Sequence, residues 1–188
     1  MEKKIIYFLI IIIVLRSAIV FAEVTSKIVK NADGTLTRFF YSDGKEVAKG
    51  VEISGGNVIK TIGKIPDGVV KEYYESGKLM AEYTYKNGIL EGMSKFYYES
   101  GLLRGERNYK NGKLEGIFRV YYTTGSLGGE FNYKDGRLEG TTKLYWENGN
   151  VKAERNFKEG KEEGMSKRYY KSGVLRDIEI FKNGRKIK

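Results

Sequence analysis

The sequence predicts an all-β protein: an elongated, twisted antiparallel sheet of tandem 24-residue β-hairpins. Three observations carry that prediction. Gly68, Gly92, Gly116, Gly140 and Gly164 stand 24 residues apart, and the series from Gly77 to Gly173 and from Gly88 to Gly184 keep the same interval. The stretches between them are of strand length, rich in Tyr, Phe and Val, and broken at turn glycines. Finally, 24 Gly and 15 Tyr against a single Pro in 188 residues suit short strands and tight turns, not a disordered tract. A helix would have to carry these glycines in its interior, at about 1 kcal/mol each.

Residues 1–22 read as a secretory signal. Glu2-Lys3-Lys4 precedes an unbroken apolar run from Ile5 to Leu15, and Val20 and Ala22 supply the small-residue positions for cleavage after Ala22. The rival reading is a retained anchor from Ile5 to Ala22. It would be short for a bilayer and would hold Arg16 near its middle, at about 2.5–3.5 kcal/mol. Loss of the leader removes Lys3, Lys4, Arg16 and Glu2, lowering the formal charge from +10 to +8. The expectation is a chain exported across the cytoplasmic membrane to a periplasmic, envelope or extracellular site. With no Cys it needs no oxidative folding there.

Residues 23–67 lack the strict period but keep its vocabulary, in Thr37-Arg38-Phe39-Phe40-Tyr41, Asp43-Gly44 and Gly55-Gly56-Asn57. They are expected to form a degenerate N-terminal β-hairpin cap. Residues 68–188 are five repeats, each a hairpin plus a return turn, giving ten strands. Ser76-Gly77 and its equivalents read as two-residue turns, and Asn87-Gly88 and its equivalents supply the next turn. That register sets Lys71 opposite Glu82 and Tyr74 opposite Leu79. It repeats as Lys95–Glu106, Arg119–Glu130 and Lys143–Glu154, and breaks in the last copy, where Lys167 meets Ile178. A three-residue turn would instead seat Tyr73 opposite Leu79. Lysines at the end of the chain, Lys182, Lys186 and Lys188 with Arg185, discourage edge-to-edge pairing.

The unit from Glu91-Gly92 through Leu114, with its Tyr-Tyr pair, Lys-Asn-Gly turn and phased glycines, resembles the bacterial variant of the MORN (membrane occupation and recognition nexus) repeat. Multi-copy proteins of this kind are commonly labelled YwqK-type antitoxins. The resemblance implies a β-hairpin array used as a protein-binding or scaffold surface, with lipid binding proposed for some members. Export suits an immunity or envelope-scaffold role better than neutralising a cytoplasmic toxin.

With neither His nor Cys, triads, thiolate nucleophiles and the usual zinc sites are excluded. The glutamates recur as a ladder with no distinguished pair, so glycosidase chemistry is not expected either. Glu162-Glu163 reads as a solvated turn. The chain is expected to be non-enzymatic, to need no cofactor or metal, and to bind another protein. Candidate partner-binding residues are the aromatic pairs Tyr73-Tyr74, Tyr97-Tyr98, Tyr121-Tyr122, Tyr145-Trp146 and Tyr169-Tyr170. One column of each pair faces the core and the other is free to anchor a partner, or else both stiffen the sheet. The alternative readings are a Tyr/Trp track for carbohydrate, and an anionic membrane surface met by Lys71, Lys95, Arg119, Lys143 and Lys167. The facing glutamates oppose the membrane reading. Export and the lack of a basic block argue against nucleic acid.

Overall fold

The structure, a computed structural model, describes residues 23–30, 36–53 and 57–188. The leader read in residues 1–22 lies outside the described residues. The described strands form one sheet.

The repeats set its plan. In the first, β5 (Gly68–Tyr73) and β6 (Leu79–Lys86) form the hairpin, and the two-residue β7 (Ile89–Leu90) folds back on β6. The same triplet recurs as β8 (Gly92–Tyr97), β9 (Leu103–Lys110) and β10 (Lys113–Leu114). It continues as β11 (Gly116–Tyr121), β12 (Leu127–Lys134) and β13 (Arg137–Leu138), then β14 (Gly140–Tyr145), β15 (Val151–Lys158) and β16 (Lys161–Glu162). The last is β17 (Gly164–Tyr169), β18 (Leu175–Lys182) and β19 (Arg185–Lys186). Repeats join by antiparallel pairing of β6 with β8, β9 with β11, β12 with β14 and β15 with β17. Each unit therefore holds a short return strand besides the two long ones expected.

The hairpin turns correct the expected register. Tyr74 N donates to Lys78 O at 2.8 Å and Gly77 N to Tyr74 O at 2.9 Å, enclosing a three-residue loop whose glycine has φ +80°. A two-residue primed turn wants positive φ early in the turn, which Ser76 does not offer; one left-handed glycine at the third position fits a type I turn closed by a glycine bulge. Tyr73, not Tyr74, therefore faces Leu79. The register shifts again between Glu72 and Tyr73, because Met80 is an extra residue, so Glu72 meets Ala81 and Lys71 meets Glu82 as expected. The loop residue and the bulge residue cancel. In contrast, Asn87 (φ +53°) and Gly88 (φ +75°) make a true two-residue primed turn with Lys86 opposite Ile89.

Residues 23–67 hold β1 (Val24–Lys30), β2 (Leu36–Ser42), β3 (Lys45–Ile53) and β4 (Asn57–Gly63), antiparallel in succession. Their join to the array is parallel: β1 runs alongside β5, with Val24 beside Val70 and Thr25 beside Lys71. Residues 64–67 return the chain from β4 to β5, and Ile65 among them is buried in the core with Phe40, Ala48, Val70, Tyr85 and Leu90. The core thus sits at the N-terminal end. Further along, the same sheet face carries Phe118, Val120, Phe131 and Leu144 only half-buried.

Candidate functional site

Alternation along the strands separates two faces. The outer face carries the basic column, the facing glutamates and the first aromatic of every pair. Arg119 bridges Glu130 at 2.9 Å and Glu106 at 3.3 Å, Lys143 reaches Glu154 at 3.6 Å, and Lys71 reaches Glu23 at 3.1 Å. The phenols complete the ladder. Tyr97 donates to Glu82 at 2.9 Å, and Tyr121, Tyr145 and Tyr169 donate to Glu106, Glu130 and Glu154 at 3.2 Å each. Burial first, then the carboxylate beside it, pushes the Tyr97 phenol up to about 12, and Tyr121, Tyr145 and Tyr169 move the same way.

The second aromatic column ties each repeat to the next. Tyr74 donates to the Tyr97 carbonyl at 2.6 Å, Tyr98 to that of Tyr121 at 2.6 Å, Tyr122 to that of Tyr145 at 2.7 Å, and Trp146 Nε1 to that of Tyr169 at 3.2 Å. Lys152 stands over the Trp146 ring, 4.6 Å from its centroid. Tyr170 has no such partner among the described residues and is 54% exposed.

A third tie was not anticipated from the sequence. Glu91, Glu115, Glu139 and Glu163 accept the backbone N–H of the following turn's Asn111, Asp135, Glu159 and Asn183, at 2.7–3.0 Å. Glu163 is therefore a turn cap, and Glu162 pairs with Phe157 in a return strand and accepts from Ser166, so the pair is not a solvated turn. Beside these turns, like charges stand directly opposite: Lys110 and Lys113, Lys134 and Arg137, Lys158 and Lys161, Lys182 and Arg185.

At the junction of residues 23–67 with the first repeat lies a buried polar cluster. Glu72 occupies the column filled by Phe96, Val120 and Leu144 in the next three repeats. It pairs with Arg38 and accepts from Ser26 at 2.7 Å, while the Arg38 guanidinium lies 4.5 Å from the Tyr83 ring centroid. Among the described residues no cluster of acidic side chains could hold a metal ion.

The inner face opens into a cavity of about 670 Å³ over the first three repeats. Tyr83, Phe96, Phe118 and Val120 form its floor and walls, and Tyr98 and Tyr122 flank it. Of the aromatic candidates, Tyr98, Tyr121 and Tyr122 line this cavity; none of the basic candidates does. Gly128 helps to open it, standing where other repeats carry Met80, Arg104, Lys152 and Arg176; a Cβ there would lie 3.3 Å from the Tyr122 ring. Two cations line the cavity and no carboxylate does: Arg104, which is exposed, and Arg107. The Arg107 guanidinium lies 4.2 Å from the Phe96 ring centroid and 6.0 Å from that of Phe118. Its Nε is buried with no hydrogen-bond partner among the described residues. Sequence reasoning passed over Arg107 because it favoured positions that recur. The relevant column reads Tyr83, Arg107, Phe131, Arg155 and Glu179, and that inconstancy on an inward-facing position was the available signal.

The sequence profile of the MORN repeat variant matches five times in tandem, at residues 66–87, 90–111, 114–135, 138–159 and 162–183, more than half of the chain. The chain belongs to the MORN repeat variant family. Each matched segment contains the two long strands of one structural repeat, so this MORN-variant array is the body of the molecule. No curated protein matches the sequence. Among solved structures, similarity extends to a chain in a crystal structure of a GtfA/B complex bound to UDP and GlcNAc, at 14% identity and a TM-score of 0.24. It covers 57% of this chain and 21% of that one, too slight a likeness to carry an argument.

Proposed function

We propose that this MORN-variant array is an exported, non-enzymatic binding module that holds a partner protein along the inner face of its first three repeats. The observation that carries the reading is the half-open, aromatic-lined cavity between Tyr98 and Tyr122 on the inner face. Apolar pockets with a few placed polar groups are the usual form of a recognition site. The constant residues of the repeat tie neighbours together and present the groove; the variable ones give it its chemistry. Export rests on the leader-like residues 1–22, and an immunity-type partner met outside the cytoplasm is an occupant consistent with it.

The test is affinity capture from cross-linked envelope material, comparing the natural chain with Val120→Arg and Gly128→Met, which obstruct the groove. A single protein enriched by the natural chain and lost from both variants supports the reading; equal capture by all three refutes it. A second reading, attraction to anionic lipid, draws on the like-charged pairs from Lys110/Lys113 to Lys182/Arg185, since such pairing costs stability and yet recurs on four successive turns. Flotation with phosphatidylserine vesicles that fails in moderate salt, with no captured protein, would favour it.

A further inference from the structure

We propose that the groove selects a partner segment in which a carboxylate, from Asp, Glu or a chain terminus, stands beside an aromatic or large aliphatic side chain, with Arg107 as the anchor for that carboxylate. The proposal rests on the binding function above and gives the partner its chemistry. Arg119 bridges two glutamates, Arg168 bridges Asp177 and Glu179, and Arg38 meets Glu72, so these three guanidinium groups are neutralised. Arg107 makes no ion pair among the described residues, although it lies on ring faces in an apolar cavity where an unmatched charge is expensive. Ring faces hold the plane of a guanidinium while leaving its N–H edge free for a planar acceptor, and a carboxylate matches that edge with two parallel bonds. Arg104 lines the same cavity and adds a second positive charge.

The neighbouring space fits the rest of such a segment. Phe96, Phe118 and Val120 offer an apolar floor, and the bare backbone at Gly128 leaves room that the equivalent Met80 does not. Successive repeats are about 10 Å apart along the groove, the reach of about three extended residues, so a short segment spans from Arg107 to the Gly128 notch. An anionic ligand without an apolar part would leave the floor wet, and an apolar one without an acid would leave Arg107 unmatched.

The experiment is selection from a displayed library of random linear peptides on the full chain, followed by affinity measurement with the best peptides. The expected result is enrichment of Asp or Glu adjacent to Phe, Trp, Leu or Met. Changing that acid to its amide should weaken binding to the natural chain about 10- to 100-fold. Arg107→Met keeps the apolar stem on the rings; it should show the same loss and no further response to the amide. Arg104→Met, at an exposed position where the first repeat already carries Met80, secures the test if Arg107→Met unfolds; it should reduce the preference for the acid several-fold at low salt. Peptides that bind the groove without an acid, or an amide change that costs as much on Arg107→Met as on the natural chain, overturn the acid preference while leaving groove binding intact. Selection of peptides that bind Gly128→Met and Val120→Arg as well as the natural chain overturns the groove itself, and with it the function proposed above.

Discussion

Tyr122→Phe removes one oxygen atom from the middle of the array, and the structure fixes what that atom does. The phenol donates to the Tyr145 carbonyl at 2.7 Å, across the boundary between the third and fourth repeats. A hydrogen bond of this kind contributes about 0.5–1.5 kcal/mol net, and the stranded carbonyl places the loss toward the upper part of that range. With a urea slope of about 2 kcal/mol/M, a loss near 1 kcal/mol lowers the unfolding midpoint by about 0.5 M. The array supplies its own control. Tyr170 holds the same place in the last repeat, makes no such bond and is 54% exposed, so Tyr170→Phe should leave the midpoint unchanged. Because repeat stability is approximately a sum of nearest-neighbour terms, Tyr98→Phe combined with Tyr122→Phe should lose about the sum of the two single changes. Urea unfolding followed by circular dichroism measures these four variants against the natural chain. Equal midpoints for Tyr122→Phe and Tyr170→Phe would refute the assignment of this column as a repeat-to-repeat tie.

Other changes test the remaining parts of the account. Arg38→Met strands Glu72 in the core and should cost about 3–5 kcal/mol, whereas Arg38→Met with Glu72→Leu, the residue of the equivalent Leu144, should recover most of it; calorimetry of both decides. Glu159 adopts φ +51° where three other repeats have Asn, so Glu159→Asn should stabilise by about 1 kcal/mol, read as a rise in the urea midpoint. The Tyr97 phenol should titrate at about 12 by ultraviolet absorbance, and Glu82→Gln should bring it down. Its raised value means a stabilising contribution complete below the ordinary phenol range and lost as pH rises through about 12. Arg168 and Arg176 hold Asp177 below its usual range, and Lys186 and Arg168 do so for Glu179. Their contribution is therefore full above the ordinary carboxylate range and fades as pH falls through it, and Arg168→Leu should flatten that acid-side decline in the urea midpoint.

The period made the architecture legible, because a hairpin that cannot bury its own apolar face must stack on the next one. Lys71 opposite Glu82 was legible for a subtler reason: the three-residue loop and the Met80 bulge each shift the register by one, and the shifts cancel beyond Glu72. Within the shifted interval they do not, and there the expected pairing of Tyr74 with Leu79 failed. A single glycine serves two-residue and three-residue turns alike, so Ser76-Gly77 did not distinguish them. The parallel pairing of β1 with β5 left no local trace, being a contact between residues 46 apart such as Val24 and Val70. The groove was half legible. Tyr98 and Tyr122 stood out by recurring, whereas Arg107 and Gly128 are where the chain departs from its own repeat.

The most direct measurement is backbone hydrogen exchange of the full chain with and without its captured partner, or with the best selected peptide in its place. The account predicts slowed exchange concentrated in β8, β9, β11 and β12, and loss of that protection in Gly128→Met. Protection confined to the turns at Lys110–Lys113 and Lys134–Arg137, with β9 and β11 unchanged, would contradict it and move the binding surface to the basic edge.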